Sequence, residues 1–98
     1  MNTNSDFITP HLMGIAMPST KGHFSILPTG AIIGYPESEA VTTWHYLPSG
    51  TLAVYFTGYG KAYFYKNVPF AQVMRLMTTD SVGTFINKVI KPNYEFFT

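Results

Sequence analysis

The 98-residue chain has no cysteine, which excludes a disulfide framework, a thiolate metal site and a cysteine nucleophile together. It is also short of charge. Only 11% of its residues are Asp, Glu, Lys or Arg, against roughly 25% in an average globular chain. No apolar run approaches the roughly 20 residues of a spanning helix, so no membrane partner is expected. The opening stretch MNTNSDFITPHLMGIAMPST lacks a basic leader region and carries Asp6, Pro10 and Pro18, a poor match to a secretory signal. A small soluble cytoplasmic protein is the expectation.

What the chain does have is apolar and aromatic, 46% and 16% of it respectively. With so few charges to cover its surface, part of that excess is expected at an interface, and a homo-oligomer, simplest as a dimer, follows. The charges it has are unevenly placed. Asp6, Lys21, Glu37 and Glu39 precede residue 57, whereas Lys61, Lys66, Arg75, Lys88 and Lys91 follow it against Asp80 and Glu95. A basic C-terminal half hints at an anionic partner.

Local patterning is clearer than charge. Residues 27–35 read LPTGAIIGY and residues 47–55 read LPSGTLAVY. In each, proline presets one turn angle and glycine accepts a positive φ, so both copies read as hairpin turns. Around them HFSIL, AIIGY, TTWHYL, TLAVYFT and KAYFYK are short, β-branched and aromatic, and bounded by Gly/Pro clusters. That predicts an antiparallel meander of about five strands. Residues 12–17, LMGIAM, are expected to dock on the core.

From Val68 the period changes from 2 to 3.6. Phe70, Val73, Leu76 and Met77 form one stripe, with Pro69 suited to an early helical position. Val82, Phe85, Ile86, Val89 and Ile90 form a second, with Asp80 or Ser81 as its N-cap and Pro92 as its stop. NYEFF is then a short extended end. The predicted class is α+β: a curled antiparallel sheet followed by two packed C-terminal helices.

The stretch Tyr63-Phe-Tyr65-Lys-Asn-Val68-Pro69, followed by Val73, Leu76 and Ser81-Val-Gly83-Thr-Phe85-Ile-Asn87-Lys-Val-Ile90-Lys91-Pro-Asn-Tyr94, resembles the KTSC domain. That small family occurs alone and at the C-terminus of some lysyl-tRNA synthetases. The resemblance is strong over residues 52–94 and weaker upstream, where Trp44-His45-Tyr46 stand for the family's Ile-Gly-Tyr. It divides the chain into an N-terminal arm with an extra β-hairpin (1–40) and a KTSC-like core (41–98), in one compact domain. It implies RNA or a related ligand and no catalytic activity.

Residue chemistry points the same way. His11, His23 and His45 lack metal-ligand spacing, so no metal or cofactor is expected. There is no G-x-S-x-G elbow, and Glu37 and Glu39 lie in a Pro/Ser loop. Gly58-Tyr59-Gly60 lies between strands, where a phosphate cradle would need a helix N-terminus. The expected binding residues are Lys61, Tyr63, Tyr65 and Lys66 on one strand, joined by Ser81, Asn87, Lys88, Lys91 and Tyr94. Tyrosines beside lysines suit base stacking with phosphate neutralisation. The competing reading packs Tyr63 and Tyr65 under the helices. Two functions follow: a non-catalytic module binding single-stranded nucleic acid, or a module for a nucleotide-like small molecule or a protein, acting as an oligomer. A stand-alone chain of this kind suits a phage or mobile-element accessory protein.

Overall fold

The computed structural model describes residues 15–19 and 22–98, so the segment expected to dock at 12–17 lies partly outside the described residues. Seven strands form one antiparallel sheet in the order of the chain: β1(Ile15–Ser19), β2(Gly22–Ile26), β3(Ile32–Pro36), β4(Val41–Tyr46), β5(Leu52–Phe56), β6(Ala62–Tyr65) and β7(Phe96–Phe97). The meander and the helices after it are as the sequence predicts. The sheet is longer by β1 at one edge and β7 at the other. β7 is the NYEFF end returning to pair with β6, Phe96 opposite Tyr65 and Phe97 opposite Phe64.

The repeated phrase makes two matching hairpins. The Gly30 N–H donates to the Leu27 carbonyl at 2.9 Å, and the Gly50 N–H to the Leu47 carbonyl at 2.9 Å. Both glycines sit at positive φ, 93° and 94°, a region that costs glycine nothing. A bulge between Val41 and Thr43 then interrupts the pairing of β4 with β5.

Residues opposite one another in an antiparallel pair share a face. One face therefore carries Phe24, Ile26, Ile32, Trp44, Tyr46, Leu52, Val54, Phe56, Tyr63 and Tyr65. These side chains and those of the helices form a single core, in which Val41, Leu52, Val54, Val73, Ile86 and Ile90 have no exposed surface. Each such aliphatic side chain contributes about 1.5–3 kcal/mol by leaving water.

Helix α1(Phe70–Thr78) starts after Pro69 and lays Val73 and Leu76 on this face. The second helical rod begins at Ser81, whose Oγ accepts the Thr84 N–H at 3.3 Å, so Ser81 and not Asp80 is the cap. The rod runs through α2(Val82–Phe85), a π-turn at Ile86–Ile90 and α3(Lys91–Asn93). In the π-turn the Lys91 N–H donates to the Ile86 carbonyl, five residues back. Pro92 does not stop the rod where the sequence predicts; it lies inside α3, and the extended backbone begins at Tyr94. Proline has no N–H to give and its ring crowds the carbonyl four residues back, and the widened turn just before it accommodates both. Among the described residues no helix is long and apolar enough to cross a membrane.

Candidate functional site

The aromatic side chains at one end of the core converge on a cleft. Phe56 ends β5, and Gly58, at φ 85°, turns the chain so that Tyr59 comes back over it. The Phe56 and Tyr59 rings lie 6.2 Å apart, Phe56 and Tyr63 meet edge to face at 5.4 Å, and Tyr59 and Tyr63 at 6.1 Å. Across from this wall the π-turn and the start of α3 present Asn87 and Lys91. The Lys91 ammonium stands over the Phe56 ring, 4.8 Å from its centroid, in a cation–π contact. These five residues with Ala40 and Thr57 line a cavity of about 370 Å³, at the small end of the roughly 300–1,000 Å³ of ligand pockets.

A second cleft of about 350 Å³ adjoins it, sharing Ala40 and Asn87. It is lined by Glu37, Glu39, Asp80 and the Ser81 cap. Asn87 thus stands between an acidic recess and a basic, aromatic one. Gly83 lets the start of the helical rod come close to the loop before β4: a Cβ there would lie 3.1 Å from the Ala40 Cβ. Among the described residues no group of three His, Asp or Glu is placed to hold a metal ion.

The residues singled out from sequence separate accordingly. Tyr63, Asn87 and Lys91 come together in the cleft. Tyr65 is removed from the surface: it is 1% exposed beneath the helices, and burial, then the neighbouring Tyr63 phenol, push its pKa up from 10.0. Lys66 points to the other side of the sheet, over Phe97 at 5.5 Å and 4.0 Å from the Glu95 carboxylate. Lys61 is exposed in the turn that carries Tyr59, and Lys88 is exposed on the π-turn but lines neither cleft. The Ser81 hydroxyl is committed to its cap, and the half-buried Tyr94 hydroxyl accepts from Gln72 Nε2 at 3.3 Å. Phe56 and Tyr59 are the residues that sequence reasoning missed. The available signal was Tyr59 itself, an aromatic between two glycines and 63% exposed.

The same positions carry the match to known proteins. The model of the KTSC domain matches residues 37–94, more than half of the chain and the whole of both clefts. The chain belongs to the KTSC domain family. Strands β1 to β3 end at Pro36, so in this KTSC protein they extend the sheet ahead of the matched region. Comparisons with curated proteins and with solved structures found no match.

Proposed function

We propose that this KTSC protein is a non-catalytic accessory module that binds a nucleotide-like molecule in the cleft of Phe56, Tyr59, Tyr63, Asn87 and Lys91. The observation that carries the reading is the pairing of an aromatic wall with one cation and one amide in a recess of about 370 Å³. The rings offer stacking to a planar base, the Lys91 ammonium offers charge to a phosphate, and the Asn87 amide offers a donor and an acceptor to a polar edge. Recognition of one unit is favoured over a long strand because Lys91 is the cation lining the cleft, while Lys66 faces the other side. Single-stranded nucleic acid is the second reading, supported by the exposed Lys61 and Lys88 on the elements that frame the cleft.

Thermal unfolding with adenosine and guanosine monophosphates at millimolar concentration tests the proposal. A ligand at 100 times its Kd stabilises the folded state by about 2.7 kcal/mol. For a chain of 98 residues that is a rise of roughly 13 °C in Tm. Lys91→Ala and Tyr59→Ala, both at exposed positions, should each weaken binding about tenfold or more while lowering the unliganded Tm by only a few degrees through the lost ring contacts. No shift with any mononucleotide overturns the small-ligand reading. Binding only to oligonucleotides, with affinity falling steeply as salt rises, establishes the second one in its place.

A further inference from the structure

The half of the strand alternation that turns away from the helices forms a second surface. Across β2 to β7 it presents His23, Ser25, Ile33, Tyr35, Thr43, His45, Ala53, Tyr55, Ala62, Phe64 and Phe97. The large side chains already lie against one another. His23 stacks on Tyr35 at 5.0 Å, His45 meets Tyr55 at 5.2 Å, and Phe64 stacks on Phe97 at 5.1 Å. Ala53 and Ala62 sit low between them, 3% and 7% exposed, although the helices among the described residues pack on the opposite face. Tyr35 and Phe97 remain 39% and 46% exposed. The result is a level, aromatic layer whose side chains have little rotamer freedom left to lose on docking.

Charge and area decide what such a layer fits. Among the described residues the charged side chain on it is Lys66, over Phe97, and Glu95 stands 4.0 Å from that ammonium. A polyanion or an anionic membrane would find almost nothing to neutralise here, whereas a second neutral face would meet no repulsion. The six strands β2 to β7 hold 27 residues, which at about 4.8 Å between strands and about 3.3 Å per residue cover roughly 430 Å² in projection. Two copies face to face therefore bury roughly 860 Å² before side-chain relief is added, in the range of weak, transient interfaces and below the usual 1,600 Å² or so. That area suits a reversible dimer.

We infer that the helix-free face of the sheet is the contact between two copies of this chain, packed sheet on sheet about a two-fold axis. The same patch meets itself, as a two-fold interface requires. The layers lie about 10 Å apart, as in stacked sheets generally. The ligand cleft, on the helix side, stays open in both copies.

Sedimentation velocity at neutral pH, from about 1 to 200 µM, tests this, since the range brackets the micromolar affinity expected. The parent protein should pass from monomer to dimer across the range. Tyr35→Lys and Ile33→Lys should each raise the dimer Kd at least tenfold. Tyr35 is exposed, so its variant keeps the test valid should the Ile33 one unfold. Met74→Lys, on the outer side of α1 beside Phe70, should leave the dimer unchanged. A parent that stays monomeric throughout overturns the inference, as does a dimer that Met74→Lys breaks and Tyr35→Lys does not. A monomer that binds a single-stranded oligonucleotide, lost in Tyr35→Lys but kept in Lys91→Ala, assigns the face to nucleic acid and equally overturns it.

Discussion

Gly34 provides a direct test of how the core is built. It lies in β3 opposite Trp44, and a Cβ built on it would overlap Cε2, Nε1 and Cζ2 of that indole. The indole thus lies flat on the bare backbone of Gly34. Trp44 is only 2% exposed, so it has no solvent side to turn toward. Gly34 is not among the glycines at positive φ, and its backbone is one that alanine adopts freely. On backbone grounds alone Gly34→Ala would stabilise by about 0.4–1 kcal/mol through the unfolded chain. Overpacking a filled core costs about 1–3 kcal/mol or more, and here the clash is with ring atoms. Packing wins, and the net loss is about 2 kcal/mol. For 98 residues the unfolding entropy is about 0.2 kcal/mol/K, so Tm should fall by about 10 °C. Thermal unfolding by circular dichroism measures it. Gly60→Ala is the control, because Gly60 has nothing within 4 Å of its would-be Cβ and no positive φ, and its Tm should hold or rise slightly. In the Gly34→Ala background, Trp44→Leu should cost less than it does alone, a coupling of about 1 kcal/mol or more between touching residues. A Gly34→Ala protein as stable as the parent would refute the flat packing of Trp44.

Two further effects follow from single side chains. Tyr46 donates its hydroxyl to the Val68 carbonyl at 2.8 Å, tying β4 to the segment that leads into α1. Tyr46→Phe should cost about 1 kcal/mol, seen as a loss of about 5 °C in Tm, whereas Tyr55→Phe, with no such bond among the described residues, should cost little. Burial lowers the pKa of His45 from 6.5, because the charged imidazolium loses hydration between its neighbours. The unfolded chain then binds the proton more readily than the folded one. The stability that the neutral ring contributes is present above pH 6.5 and is lost as pH falls through the lowered folded value. His45→Gln should flatten that part of the Tm-against-pH curve, and an unchanged slope would sink the assignment.

Much of the candidate site was legible in part. The motif that resembles the KTSC domain held Tyr63, Asn87 and Lys91, and all three line the cleft. The same motif also contributed Tyr65, Ser81 and Tyr94, which the fold uses for core, cap and hydrogen bond. A motif records which side chains go together without recording which of them face water. Lys66 lay one residue from Tyr65 in the sequence and ended on the other side of the sheet, because side chains alternate along a strand.

Local chemistry alone determined the hairpins, the change of period at Val68 and the helix cap region. Each is settled by residues within a few positions of one another: a proline and a glycine in a turn, a hydroxyl three residues from the N–H it receives. Tertiary structure alone decided which side of the alternation became core. Tyr63 and Tyr65 share one face by period, and Tyr65 lies opposite Leu52 under the helices while Tyr63 lies opposite Val54 beside the cleft. The π-turn ahead of Pro92 and the return of Phe96 and Phe97 onto β6 belong to the same level. Both depend on where the helical rod comes to rest on the sheet, and that position is set by packing among residues distant in the chain.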